Sequence, residues 1–515
     1  MNDSTHPVAP LREMVLASAG SGKTYHISSR IIGLLARGEA PEGILAVTFT
    51  RKAAAEILER VLLRLAEGAL DDGKAKALAE AVRAPGDTRP AEEILDRGRC
   101  GDVLGALIRA MGRVNIGTLD AFFAQLARCF PEELGLPFGW RIVDTVHDAR
   151  LRSEALETLM AAEPGAVLEL IRVIDDGKVS RGVHSGLLEQ VGRLLDLHRE
   201  VGGADEGIWA PPLEGIDPAF AAAGEGIAGI CASLADELAA APVPPLKSGA
   251  DDSRWQKEVD RLADATAARD WREFFAKGVG KKLVEGGALG PAGEAVYYGN
   301  TAPDGLARVL DRVVQAARAD LARRLTARGE ALGALARRYD EVFSGIQRRE
   351  GGYRFQDVPP RLRDAALFQS RERLDFRLDA RFGHVLLDEF QDTSLPQWEV
   401  IHPMMRGVVG DGGAGRAAVV VADPKQSIYG WRGARPGLVR HVRETLDLEP
   451  ASLPLSWRSS PVILETAARL FATLPANPWV EELRAGVEVG EEWVKDFLPQ
   501  GAAYPERPGH VTVEV

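Results

Sequence analysis

Two segments far apart in the sequence carry residue types able to act on a phosphate chain. Ala17-Ser18-Ala19-Gly20-Ser21-Gly22-Lys23-Thr24 fits the phosphate-loop pattern, except that Ala17 replaces its first glycine. Small residues let backbone N–H groups wrap the phosphates, and the N-terminus of a following helix adds partial positive charge. Lys23 would reach the terminal phosphates and Thr24 would hold magnesium. A Gly/Ser turn before a helix is the plain alternative. Downstream, Val385-Leu386-Leu387-Asp388-Glu389 places two carboxylates at the end of an apolar run. Asp388 there would bind magnesium through water, and Glu389 would accept a proton from the attacking water. Taken alone, such a run is as often a strand meeting solvent. The phosphate loop upstream and Phe390-Gln391-Asp392-Thr393 after it favour chemistry.

These residues need rigid supports, and the pattern of apolar residues supplies them. Met14-Val15-Leu16 reads as a strand entering the loop, and Ile27, Ile31, Leu34 and Leu35 recur at helical spacing beyond it. Ile44 to Phe49 is a second β-prone run, followed by the helical stripe Ala54, Ile57, Leu58, Val61 and Leu65. Such alternation predicts a parallel sheet covered by helices. Between about residues 150 and 350 strand signals give way to Ala-, Leu- and Arg-rich segments broken by GGADEG, PVPPLKSGADD and EGGALGPAGE. Strand signals return at Val385–Leu387 and Ala418–Val421, so the sheet is expected to be completed after a helical insertion. After Leu453 a new segment begins, with a helix expected over Pro461–Leu470.

The chain has 515 residues, which at about 100–200 residues per domain predicts three domains or so. Cys100, Cys129 and Cys231 lie far apart, without disulfide or metal-ligand spacing, and a reducing cytoplasm fits best. The nine histidines show no ligand spacing either. The first residues hold no basic segment followed by an apolar run, and no run of about 18 apolar residues occurs, so no export signal or membrane span is expected. A net charge of −12 argues against coating nucleic acid by bulk attraction but leaves room for a local groove that relies on stacking.

Asp388-Glu389-Phe390-Gln391-Asp392-Thr393, together with Ala422-Asp423-Pro424-Lys425-Gln426-Ser427-Ile428-Tyr429-Gly430-Trp431-Arg432-Gly433-Ala434, resembles the UvrD/Rep-like superfamily-one DNA helicases. The phosphate loop, the Asp-Pro-Lys-Gln-Ser wording and the large insertion resemble the AddA and RecB branch most. The fold implied is α/β. A RecA-like P-loop NTPase domain, residues 1–150 and 351–450, is interrupted by a mainly helical insertion, 151–350, and followed by the incomplete start of a second RecA-like domain, 451–515. The function implied is ATP hydrolysis, with magnesium, driving 3′-to-5′ movement along single-stranded DNA and at duplex junctions. The chain would then be the AddA- or RecB-like subunit of a double-strand-break repair helicase–nuclease, beside an AddB- or RecC-like partner. A free-standing UvrD-like repair helicase and an ATP-binding scaffold without unwinding activity are the rivals.

The resemblance also assigns roles to single residues. Gln426 would contact the terminal phosphate, Trp431 would stack on a DNA base, and Arg432 would link the two sites. Ala46-Val47-Thr48-Phe49-Thr50-Arg51-Lys52-Ala53-Ala54 resembles an early DNA-contacting motif, Phe49 offering a ring and Thr48 or Thr50 a phosphate contact. Arg51 stands where relatives often carry Asn. In Ile116-Gly117-Thr118-Leu119-Asp120-Ala121-Phe122-Phe123, Asp120 departs from the usual His-Ser, and core packing is an equal reading of both phenylalanines. Leu455-Ser456-Trp457-Arg458-Ser459-Ser460-Pro461 resembles the segment usually read Asn-Tyr-Arg-Ser. Arg458 would reach the γ-phosphate and Trp457 would stack near the adenine, although a capped helix start suits the segment too. No adenine-reading glutamine precedes Ala17, and the last two family motifs are expected beyond Val515, as is any nuclease domain. The arginines Arg308, Arg312, Arg318, Arg323, Arg324, Arg328, Arg337 and Arg338 read first as a solvated face with acidic partners, and second as a grip on duplex backbone.

Overall fold

The computed structural model describes residues 11–83, 87–162, 164–165, 183–201, 209, 218–222, 224–245, 252–284, 292, 296–365, 371–410, 416–430, 433–435, 437–477, 491, 494–495, 497 and 499–512. By internal packing the chain forms two compact units. One is Met1–Arg150 with Ile346–Val515, and the other is Leu151–Gly345.

The first unit is built on six strands: β1 (Leu11–Leu16), β2 (Ile44–Thr48), β3 (Asn115–Thr118), β4 (His384–Leu387), β5 (Ala417–Ala422) and β6 (Glu449–Ser452). They lie in the order β6-β1-β5-β4-β2-β3, and every pairing is parallel. Strands β2, β4 and β5 are buried along their whole length, as expected where both faces of a parallel sheet are covered. Period-two alternation divides their side chains between two cores. Met14, Leu45, Val47, Val385, Leu387 and Val420 face one side, where Phe122, Phe123, Trp398 and Met405 pack. Val15, Ala46, Leu386, Val419 and Val421 face the other, against Ile27, Ile31, Ile57, Val61 and Leu65. The helices α1 (Lys23–Ala36) and α2 (Arg51–Leu70) thus cover one face, and α3 (Leu119–Cys129) and α4 (Leu395–Gly410) the other. Phe122 and Phe123 are core residues.

Register brings the working loops together. Leu16 pairs with Ala422, Val420 with Leu387, and Leu387 with Val47. The segments leaving β1, β5, β4 and β2 therefore all emerge at the carboxyl edge of the sheet, where open α/β folds bind ligands. Two boundaries differ from the sequence reading. The second strand ends at Thr48, which leaves Phe49 outside the sheet. Strand β6 carries the sheet two residues past the expected boundary at 450, because Ala451 and Ser452 pair with Val15 and Leu16. Beyond it, Leu455–Ser456 forms a small parallel pair with Gly501–Ala502, and a helix runs from Pro461 to Ala472 with its proline at the N-terminus, where the missing N–H costs nothing.

The second unit is mainly helical among its described residues. Helices Ile227–Ala239 and Ser253–Ala268 pack on Leu306, Leu310, Val313 and Ala317 of the 47-residue helix Asp304–Glu350. Its buried Asp320 accepts a 2.7 Å hydrogen bond from Trp271 Nε1 and pairs with Arg269 and Arg324. Arg312, Arg324 and Arg338 pair with Glu237, Asp320 and Glu341, which favours the acid-paired reading of the arginine stripe.

Candidate nucleotide site

Between β1 and α1 the chain makes the turn its small residues permit. Ala17 N–H donates to Ala422 C=O at 3.1 Å, and Ser21 closes the loop through Oγ on Ser18 C=O at 2.8 Å. Gly20 and Gly22 have φ of 74° and 91°, a region that disfavours residues with a Cβ. Gly22 is the N-cap of α1 and brings no side chain to it, so the first N–H groups of α1 have no side-chain cap to displace. Ala17, Ser18, Ala19, Gly20, Ser21, Gly22, Lys23 and Thr24 thus form one loop leading into a helix N-terminus.

The carboxylates sit opposite. Asp388 follows β4 directly, with its N–H on Val47 C=O at 2.8 Å. Its side chain is buried and Oδ1 has no hydrogen-bond partner. Burial first, and the charge of Glu389 second, push its pKa up to about 7. Glu389 adopts φ 51°, which turns its side chain toward the loop, and Oε2 receives Lys23 Nζ at 2.9 Å. Burial and the same Glu389 charge push Asp392 up to about 6. Three carboxylates therefore crowd one place, with the Lys23 ammonium beside them. A divalent cation would relieve that imbalance, and the unpartnered Asp388 Oδ1 is suited to one. Among the described residues no group of three or more His, Cys, Asp or Glu forms a protein cage. The donor set, a hydroxyl and a carboxylate with nucleotide and water completing it, fits magnesium.

Gln391 joins this cluster to the next strand. It is buried to 1% exposure, its Nε2 donates to Glu389 Oε2 at 2.6 Å, and its Oε1 accepts Asp423 N–H at 2.9 Å. Gln426 Nε2 bonds Asp423 Oδ2, and Ser427 Oγ donates to Gln391 C=O at 3.1 Å. Tyr429 then packs on Phe49, ring centroids 4.6 Å apart. Gln426 thus rests on an aspartate rather than on the phosphate loop. Trp431 and Arg432 lie outside the described residues. Thr48 is 2% exposed and shares a cavity of about 10 Å3 with Asp388, so its hydroxyl cannot meet a nucleic-acid backbone. Thr50 caps α2 by accepting Ala53 N–H at 3.1 Å, which gives that hydroxyl a structural task. Phe49 is half-buried against Tyr429, and Thr50, Arg51 and Lys52 beside it are exposed.

From the far side of the loop comes the segment after β6. Trp457 N–H donates to Gly20 C=O at 2.8 Å, and a Cβ at Gly20 would stand 2.6 Å from the Cβ of Arg458. Both side chains are exposed beside the loop, and Arg458 has no acidic partner among the described residues.

Compared with known families, residues 5–180 and 307–447, more than half of the chain, match the UvrD/REP helicase N-terminal domain. The chain belongs to the UvrD/REP helicase family. An ATP-dependent helicase/nuclease subunit of Geobacillus thermodenitrificans is 26% identical, over 96% of this chain and 40% of its own length. The RecBCD enzyme subunit RecB of Escherichia coli is 23% identical over 92% of this chain and 39% of its own length. The ATP-dependent DNA helicase Rep of Escherichia coli is 36% identical over 125 residues, 24% of this chain and 17% of its own length. The UvrD/REP chain thus spans about 40% of the length of the helicase/nuclease subunits it matches, the branch its motif wording resembles.

Sequence reasoning gave no role to Gln391, Asp392, Tyr429 or Asp423 of this UvrD/REP site. All four lie inside the two motif strings, so the signal was present as wording. What their wording lacked was the register that sets Gln391 across from Asp423.

Proposed function

We propose that this chain is the ATP-binding portion of a DNA-translocating helicase of the AddA/RecB kind, which hydrolyses ATP in response to single-stranded DNA. The observation that carries the reading is the unbroken chain of contacts from Lys23 through Glu389, Gln391 and Asp423 to the Ser427–Tyr429 segment and Phe49. A segment that touches both a phosphate site and a base-stacking ring can turn nucleotide state into strand movement.

Arriving ATP draws Lys23 off Glu389 onto its terminal phosphates. Glu389 stays oriented by Gln391 and keeps a free oxygen to take the proton of the attacking water. Thr24 and Asp388 would hold magnesium, which would supply charge neutralisation at the terminal phosphates. Gln426 and Arg458 approach the γ-phosphate, Trp457 covers the base, and Trp431 with Phe49 stacks on DNA bases, with Arg432 between the two sites. Residues 451–515 supply the far wall of the cleft as the start of a second RecA-like domain. An AddB- or RecC-like subunit would complete a helicase–nuclease in the cytoplasm, moving 3′ to 5′.

The test is phosphate release by the purified chain with and without oligo(dT), beside Lys23→Ala. Slow phosphate release by the parent, with loss of MgATP binding in Lys23→Ala, is expected. Equal MgATP affinity of the two proteins would remove the phosphate-loop assignment, and a parent that neither binds MgATP nor releases phosphate would remove the ATPase.

A further inference from the structure

The Trp457-Arg458 peptide is held from two sides. On one, Trp457 N–H donates to Gly20 of the phosphate loop at 2.8 Å. On the other, Arg507, about fifty residues downstream, donates from Nη1 to both Trp457 C=O at 3.3 Å and Arg458 C=O at 2.7 Å. The pairing of Leu455–Ser456 with Gly501–Ala502 brings it there, closed by Gly501 N–H on Pro454 C=O and Ala503 N–H on Ser456 C=O, both 2.9 Å. Tyr504 adds an edge contact to Trp457, with centroids 5.8 Å apart, and the Arg507 guanidinium lies 5.1 Å from the Tyr504 ring.

One guanidinium bridging two successive carbonyls fixes the two peptide planes that flank the Arg458 Cα. The Arg458 side chain itself is left exposed and uncommitted among the described residues. An arginine on a mobile segment would lose most of its selectivity to rotamer and backbone freedom. We propose that Arg507 is a positioning residue, which holds the Trp457-Arg458 peptide against the phosphate loop and so sets the preference of the site for a nucleoside triphosphate over a diphosphate. The inference rests on the reading of Arg458 as the γ-phosphate contact.

The experiment is equilibrium titration of the 515-residue chain with MgADP and with a magnesium complex of a non-hydrolysable ATP analogue. Parent, Arg507→Ala, Arg507→Lys, Arg458→Ala and Glu506→Ala are compared. Arg507→Ala and Arg458→Ala should each reduce the triphosphate-over-diphosphate preference by about tenfold, as loss of one charge-assisted bond implies. Arg507→Lys should keep part of the preference and Glu506→Ala all of it. A purely structural role would lower the melting temperature without moving this ratio. Loss in Arg458→Ala with the ratio intact in Arg507→Ala overturns the positioning role alone. An intact ratio in Arg458→Ala overturns the reading of the γ-phosphate contact, and the inference with it.

Discussion

The replacement Glu389→Gln should move binding and chemistry in opposite directions. Glu389 Oε2 receives two donors, Lys23 Nζ at 2.9 Å and Gln391 Nε2 at 2.6 Å. A glutamine whose amide oxygen takes that place still accepts both, so the fold is kept, but the bond to Lys23 changes from an ion pair to a charge–dipole contact. Replacing the carboxylate by an amide removes the attraction between two opposite charges and leaves a charge–dipole bond, a difference of about 1 kcal/mol. The ammonium must leave residue 389 to meet the phosphates, so the variant should bind a non-hydrolysable ATP analogue about fivefold tighter. Single-turnover hydrolysis should fall by about a hundredfold or more, because the base is gone. A further readout comes from Asp388, which Glu389 helps to push up to about 7. Below that pH the Asp388 carboxyl of the parent must lose a proton before it can hold a cation, so MgATP affinity should decline as pH falls through 7, and at lower pH in the variant. Binding that weakens, or an unchanged pH midpoint, would refute the view that the Lys23–Glu389 pair closes the empty site.

Phe49→Ala should weaken oligo(dT) binding by about 1–3 kcal/mol with nucleotide affinity unchanged, read by fluorescence anisotropy at several salt concentrations. Glu13, buried on β1, is pushed up by burial but brought down to about 2 by hydrogen bonds from His26 and Arg30. Its folded pKa lies below the unfolded 4.5, so the stability it contributes, about 3 kcal/mol, is present above pH 4.5 and lost as pH falls toward 2. Denaturant midpoints of the parent and Glu13→Gln should accordingly differ at pH 7 and converge toward pH 2. Gln391→Glu places a carboxylate against Glu389 in a site of 1% exposure and removes the donor to it, and should destabilise the fold by about 3–5 kcal/mol in thermal unfolding.

Much of the sheet and the shape of the glycine loop was legible because both rest on local rules. Ile44–Thr48 and Ala417–Ala422 are strands because unbroken apolar runs must be covered on both faces, and Gly20 and Gly22 turn the loop because glycine tolerates positive φ. Thr50 reads two ways for a physical reason. A threonine before a helix serves as its cap as readily as it serves a ligand, and here Oγ1 accepts Ala53 N–H while its own O–H stays available to a phosphate. Strand β6 escaped notice because Glu449-Pro450-Ala451-Ser452 has no apolar alternation. It is a strand only through its pairing with β1, at an edge where proline is tolerated. Arg507 and Gln391 act through partners roughly 50 and 30 residues away, and no spacing rule connects them.

Gln391 has both faces of its amide committed, the donor to the Glu389 carboxylate proposed as the base and the acceptor to the backbone of the segment that carries Gln426 and Tyr429. A shift of Glu389 toward an incoming water would pull on that amide, and the amide can follow only if Asp423 N–H follows too, since burial leaves it no solvent to bond instead. The same constraint runs backwards. Displacement of Tyr429 by a base entering beside Phe49 would shift the β5 loop and, through Gln391, the orientation of Glu389. If the proposed function holds, this reciprocity would let an acidic chain of net charge −12 sense single strands at one ring pair, without a broadly basic surface to gather them.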